Sequence, residues 1–204
     1  MNSGDVMYDN SMYFASLAEQ KSDILTRLNV KPGEYILTTI HRPNNTDDPA
    51  RLTAILSSLL LITERDGITL VLPLHPRTKN LLDKNLSRAV YEKLIISPRV
   101  QIIPPTSFFE IIVLEKNARI VMTDSGGVQK ESFFFERPCV ILRPETEWVE
   151  IVEHGAGIVA DADPELIINA YDKLVGTAPV FPPLFGDAHA SEHILATIQE
   201  YLNA

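Results

Sequence analysis

The chain has 204 residues, 45% of them hydrophobic and 22% charged, with a formal net charge of −9 at pH 7. That length suits one α/β domain with a sizeable core, or one domain plus extensions, and that hydrophobic content excludes a disordered or fibrous chain. The acidic balance, with no Lys/Arg-rich run, argues against nucleic acid or an anionic membrane as the main partner, but not against a phosphate held by local dipoles.

Residues 10–28 place Phe14, Leu17, Ile24, Leu25 and Leu28 near a helical period, and Pro32-Gly33 then marks a break. Residues 35–40 form a β-rich run, and Asp47-Asp48-Pro49 opens a helix with carboxylates and Pro in its first turn. Residues 68–74 read as a second strand, followed by a helix over about 78–93. Residues 100–103 read as a third strand before a helix over 107–115. Ala118-Arg119-Ile120-Val121-Met122 is a fourth strand, leading into Thr123-Asp124-Ser125-Gly126-Gly127 and a helix over 128–135. Residues 138–142 give a fifth strand and 157–159 a sixth. Helices are expected from Pro164 and over about 190–202, and the Pro-rich loop 179–190 is expected to run across the surface.

Repeated β-α units with near-continuous apolar strands predict a Rossmann-like, doubly wound parallel sheet covered on both faces. Ligands of such sheets sit beyond the carboxyl ends of the strands. The informative loops are therefore His41-Arg42-Pro43-Asn44-Asn45, His75-Pro76-Arg77, the Ser-Gly-Gly turn and Arg143-Pro144-Glu145-Thr146-Glu147. A Ser-Gly-Gly turn between strand and helix offers unpaired N–H groups and the positive end of a helix dipole to a phosphate. The competing reading is a plain capped turn. Glu131, about one turn into the helix, is placed to accept hydrogen bonds from a sugar diol. His41 with Arg42, and His75 with Arg77, put two basic loops at one sheet edge, either as anion contacts or as helix caps.

His189 and His193, at i and i+4, form a candidate metal pair with no obvious third ligand, so no metal is expected. His154 reads as a helix-end cap, and Cys139 as an inert core residue. Trp148 could stack on a ligand or pack, and packing is the favoured reading. Glu145, Glu147, Glu150 and Glu153 read as a solvated face, with Glu147 near the cleft. No nucleophile elbow, Walker A motif or G-x-G-x-x-G fingerprint is visible. No stretch approaches the roughly 18 apolar residues of a membrane span. Met1-Asn2-Ser3-Gly4-Asp5 lacks the features of a signal peptide, and the single cysteine permits no intramolecular disulfide. A cytoplasmic location is the expectation.

With these residues laid out, the chain resembles the non-hydrolysing UDP-N-acetylglucosamine 2-epimerase family. The matching pieces are Ser3-Gly4-Asp5-Val6-Met7-Tyr8-Asp9, Thr38-Thr39-Ile40-His41-Arg42, Leu74-His75-Pro76 and Thr123-Asp124-Ser125-Gly126-Gly127-Val128-Gln129-Lys130-Glu131. Arg137-Pro138-Cys139, Glu145-Thr146-Glu147-Trp148-Val149-Glu150 and Phe185-Gly186-Asp187 complete the series in the family's order. The resemblance implies a glycosyltransferase-B-like fold of two Rossmann-like domains with the active site between them, and this chain resembles only the C-terminal one. On that reading residues 1–30 are an interdomain linker and helix, 31–187 the UDP-binding domain, and 188–204 a helix that packs on the N-terminal domain.

The implied activity is 2-epimerisation, UDP-GlcNAc to UDP-ManNAc in type, by elimination of UDP to a 2-acetamidoglucal and re-addition. It would serve cell-envelope polysaccharide synthesis, with no cofactor. The family's acid/base candidates lie in the other domain, so this half would be inactive alone. Ser125, Gly126 and Gly127 would hold the diphosphate, Glu131 the ribose hydroxyls, and Thr106 to Ile111 the uracil. His41 would be the catalytic residue, reaching the diphosphate and the departing UDP. Arg42 and His75, with Arg143 and Glu147, would contact the cleft or a second nucleotide sugar. The expected partners are UDP or a UDP-sugar, and either a second copy or an N-terminal domain.

Two departures from the family pattern bear on the sugar. Thr146-Glu147-Trp148 replaces Thr-Glu-Arg, a variant resembling epimerases of diacetamido-glucuronates. Phe185-Gly186-Asp187-Ala188 replaces Tyr-Gly-Asp-Gly. The donor half of a glycosyltransferase and a non-catalytic nucleotide-sugar-binding module are the alternative readings.

Overall fold

A computed structural model describes residues 3–203, so Met1, Asn2 and Ala204, the outermost positions of the expected linker and C-terminal helix, lie outside the described residues. Six strands form one sheet: β1 (Tyr35–Thr39), β2 (Thr69–Pro73), β3 (Val100–Ile103), β4 (Ile120–Thr123), β5 (Cys139–Ile141) and β6 (Gly157–Val159). They are ordered β3-β2-β1-β4-β5-β6, and every neighbouring pair is parallel. This is the expected doubly wound arrangement.

The apolar runs of the four central strands, β1, β2, β4 and β5, are near-continuous because both of their faces are covered, while the edge strands β3 and β6 are largely half-buried. Successive residues alternate between two cores, as the period of two requires. Ile36, Leu70, Leu72, Ile120, Met122 and Val140 point to one core, and Tyr35, Leu37, Val71 and Val121 to the other. The first core is closed by α4 (Pro49–Asp66), α5 (Pro76–Asn85), α6 (Arg88–Ile96) and α10 (Pro164–Gly176), through residues such as Leu52, Leu82, Leu94 and Ile167. The second is closed by α1 (Val6–Lys21), α2 (Ile24–Arg27) and α7 (Phe108–Asn117), through Ala15, Ile24 and Ile112. α8 (Gly126–Phe134) packs beside α1 and α7.

The helices start where local side chains satisfy their first N–H groups. Asp48 caps α4 and Asp163 caps α10, each with Pro at the first helical position. Ser107 and Glu110 form a capping box on α7. Two expected helices are each divided. The helix expected over 10–28 begins at Val6 and ends at Ser22, whose extended backbone (φ −114°, ψ 129°) precedes α2. The helix expected over 78–93 begins at Pro76 and breaks at Leu86 (φ −77°, ψ 147°). Ser87 Oγ then accepts from Val90 N to start α6. A short helix, α3 (Pro43–Thr46), falls in a segment read as a loop, and a second, α9 (Val149–Glu153), supplies the helix end expected at His154.

The loop after α10 is not a bare surface crossing. Phe181, Leu184 and Phe185 form a third cluster with Phe133, Phe134 and Ile151. α11 (Ala190–Asn203) follows, and its first N–H groups are capped from the other end of the chain. Asp9 accepts from Ala190 N (2.9 Å) and Ser191 N (2.8 Å).

Candidate functional site

β1 and β4 lie side by side with Thr39 level with Thr123, and their hydroxyls are hydrogen-bonded at 2.6 Å. The chain leaving β1 runs to α4 on one face of the sheet, and the chain leaving β4 runs to α8 on the other. That divergence is the topological switch point, where a doubly wound sheet opens a crevice for its ligand.

Asp124 organises the crevice. Its carboxylate is fully buried and accepts from the backbone N–H groups of His41 (3.1 Å) and Arg42 (3.0 Å) and from Asn45 Nδ2 (3.1 Å). In the other direction, Arg42 Nε donates to the Asp124 carbonyl at 2.9 Å. A buried carboxylate is tolerated only when its acceptor sites are filled, and here two strand-end loops fill them. His41 Nδ1 lies 3.4 Å from the same carboxylate while its side chain remains 55% exposed, so the ring is tethered on one edge and open on the other. Asn45 is buried as well. It donates to the Leu142 carbonyl at 2.9 Å, which ties the end of β5 into the same cluster. Neither Asp124 nor Asn45 was among the expected site residues. The signal available was an Asp directly ahead of the Ser-Gly-Gly turn, with its partners some 80 residues away.

Ser125 is the N-cap of α8, its Oγ accepting from Val128 N at 3.4 Å, so the capped-turn reading holds in part. The cap leaves the N–H groups of Gly126 and Gly127 without an acceptor among the described residues. They stand at the positive end of the helix dipole, the arrangement that favours an anion. A side chain at Gly126 would crowd this end, since its Cβ would lie 3.3 Å from Glu147 Oε2 and 3.6 Å from Trp148 Nε1.

Arg143 and Glu147 form a bidentate pair at 2.8 Å and 2.8 Å, with Arg143 only 11% exposed in its side chain. The Arg143 guanidinium holds the Glu147 carboxyl down to about 2. Trp148 packs edge-on against Phe185, and its indole also donates to the Gly126 carbonyl at 2.8 Å. Lys130 Nζ lies 4.1 Å from the centroid of its ring and is ion-paired to Asp5. Thr146 completes the tie, donating to Gln129 Oε1 at 2.6 Å, so the loop after β5 is fastened along the first turn of α8.

Glu131 lies on α8, partly exposed, and burial raises its carboxyl to about 7. Thr106 and Ile111 flank the start of α7, with Ile111 packed onto the core below it. His75 stands apart from the Asp124 cluster. It is the N-cap of α5, its Nδ1 accepting from Arg77 N at 3.3 Å, while Arg77 pairs with Asp47. His189 and His193 face different carboxylates, Glu192 at 3.5 Å and Asp187 at 3.3 Å. No group of three or more metal-ligating side chains occurs among the described residues. His154 Nδ1 meets the Glu150 carbonyl at 2.8 Å at a helix end, and Cys139 is buried, its thiol pushed up to about 12 by burial. Among the described residues no helix is long and apolar enough to cross a membrane.

Comparison with known proteins places this geometry. Residues 1–199 match the family described as UDP-N-acetylglucosamine 2-epimerase. The UDP-2,3-diacetamido-2,3-dideoxy-D-glucuronate 2-epimerase of Pseudomonas aeruginosa is 40% identical over 195 residues, covering 95% of this chain and 51% of its own. The UDP-GlcNAc 2-epimerase of Methanocaldococcus jannaschii superposes with a TM-score of 0.88 at 31% identity, over 97% of this chain and 55% of that one. A second structure of the M. jannaschii enzyme, in complex with UDP-GlcNAc and UDP, superposes with a TM-score of 0.85, covering 97% of this chain and 54% of that one. The chain thus spans about half the length of the curated relatives it matches.

Proposed function

The chain belongs to the UDP-N-acetylglucosamine 2-epimerase family, and from that premise we propose that it forms the nucleotide-binding half of a UDP-sugar 2-epimerase. The observation that carries the reading is the N-terminus of α8 at the switch point, with the Gly126 and Gly127 N–H groups unmatched among the described residues and His41 and Arg42 held alongside by Asp124. Diphosphate would dock on the two glycine amides, and Ser125, already spent on its cap, would contribute chiefly by fixing the turn. Arg42 and Arg143 add positive charge beside it, and Glu131 would take the ribose hydroxyls, with uracil against Thr106 and Ile111.

The chemistry assigned to this half is departure and return of UDP. Charge building on the leaving diphosphate would be met by the helix dipole and by the open edge of His41, a fixed arrangement that needs little reorganisation. The base and acid that work at C2 of the sugar belong to the other half of such an enzyme, so this chain alone would bind without epimerising. The sugar is a 2-acetamido hexose. Trp148, bonded to the Gly126 carbonyl where the family commonly has Arg, and the 40% identical P. aeruginosa relative favour a diacetamido-uronate over UDP-GlcNAc. We further assign residues 31–187 to the nucleotide domain and α11 to the face that meets the remainder of the enzyme. Calorimetric titration with UDP should give saturable binding, weakened at least tenfold by Glu131→Ala. No heat at millimolar UDP, or an unchanged affinity in the variant, would overturn the assignment.

A further inference from the structure

Trp148 is the only tryptophan of the chain, and it is held from several sides. Its indole N–H donates to the Gly126 carbonyl at 2.8 Å, and its backbone N–H donates to Thr146 Oγ1 at 3.0 Å. Its ring meets the Lys130 ammonium and the ring of Phe185. Packing on Phe185 asks only for an aromatic side chain. The indole N–H adds a directed bond, which a half-buried tryptophan could equally give to water.

The acceptor that it takes is informative. The Gly126 carbonyl and the Gly127 N–H belong to one planar trans peptide, so they point in opposite directions. Among the described residues the Gly127 N–H has no acceptor, while the indole occupies the other end of the same unit. A donor on the carbonyl fixes the plane of the peptide, and polarisation along the unit strengthens the N–H as a donor.

Thr146 aims the indole in turn. Its hydroxyl carries one proton, which goes to Gln129 Oε1 at 2.6 Å and leaves a lone pair for Trp148 N. Gln129 lies on α8 and is fully buried, and its Nε2 has no partner among the described residues. A buried amide with its donors unmet costs stability. What it supplies here is the direction of the Thr146 proton. The links from Gln129 to Thr146, Trp148 and Gly126 thus lead from the buried side of α8 back to the peptide in its own first turn.

We propose that Trp148 is a positioning residue for the diphosphate: its indole N–H, aimed by Thr146, orients the Gly126–Gly127 peptide so that the Gly127 N–H faces the ligand. The inference rests on the assignment of the diphosphate to the two glycine amides.

Titrations with UDP and with uridine, which lacks the phosphates, separate this role from a general loss of structure. Wild type should bind UDP more tightly than uridine. Its single indole N–H should give one resonance in a proton–nitrogen correlation spectrum, at the low field of a hydrogen-bonded indole. Trp148→Phe keeps a ring and removes the N–H. It should weaken UDP by about fivefold to tenfold, the worth of one hydrogen bond, and leave uridine unchanged. Thr146→Val should do the same while moving the indole resonance upfield, and Thr146→Ser, which keeps the hydroxyl, should restore both. If Trp148→Phe and Thr146→Val keep the wild-type preference for UDP, or weaken UDP and uridine in equal measure, the role of Trp148 is overturned while the diphosphate assignment stands. A wild type that binds uridine as tightly as UDP, or binds neither, would overturn that assignment and this inference with it.

Discussion

Removing the Asp124 carboxylate would strand three donors at once: His41 N, Arg42 N and Asn45 Nδ2. Each unmet buried donor costs on the order of 1–3 kcal/mol, and breaking a buried charged cluster about 3–5 kcal/mol in all. Asp124→Ala is therefore expected to lower unfolding free energy by about 3–5 kcal/mol in urea melts and to release the His41 loop. Asp124→Asn keeps one acceptor oxygen and should cost less. The residue was visible in the sequence as part of a motif, yet its task was not, because the partners come from positions 79 to 83 residues earlier. The glycines could be read locally, since a Gly-Gly pair after a strand announces its own backbone chemistry. Trp148 was half legible: it packs as expected, but its indole bond to Gly126 depends on a loop laid across another helix.

At the level of elements, strands were easier to place than helix ends. Burial on both faces writes the central strands as near-continuous apolar runs, which need no partner to be recognised. Helix breaks are set by single side chains with weak sequence signatures. Ser87 restarts a helix one residue after Leu86 leaves it, inside a stretch whose apolar period continues across the break. The segment Phe185-Gly186-Asp187-Ala188 shows a departure with a structural cost. Ala188 sits at φ 66°, the left-handed region in which a Cβ is crowded, at the position where the family has Gly. The left-handed penalty is about 1–2 kcal/mol, and a glycine there would give back about 0.4–1 kcal/mol in unfolded-state entropy. Ala188→Gly should therefore raise stability by up to about 1 kcal/mol, read as a small upward shift of the melting temperature. A melting temperature lowered by the substitution would mean that the Ala188 methyl contributes packing that outweighs its backbone strain.

Across the whole molecule the two cores are closed, and α11 is the exception. Only Ala190 of this helix is buried, while Leu195, Ile198, Tyr201 and Leu202 are 56%, 50%, 82% and 75% exposed. Ile194, Leu195, Ile198 and Leu202 recur at the spacing of one helix face, which the sequence alone displayed. A contiguous apolar stripe of this kind is rarely left to water. The helix is anchored at its start by Asp9, and among the helices and strands it packs chiefly against α1. On the assignment proposed for α11, the remainder of a chain about twice as long, as in its relatives, would cover the stripe. Where that covering is lacking, a second copy presents the same stripe, and a two-fold pairing of α11 helices buries both at once. The isolated chain is accordingly expected to self-associate as concentration rises, with the weight-average mass in light scattering climbing toward a dimer. The double variant Ile198→Glu and Leu202→Glu places like charges one turn apart on the stripe and should hold the monomer mass throughout. Its UDP isotherm should match wild type, because the stripe and the crevice share no residue. A wild-type mass that stays monomeric over the same range would show that α11 tolerates solvent and needs no partner to remain folded.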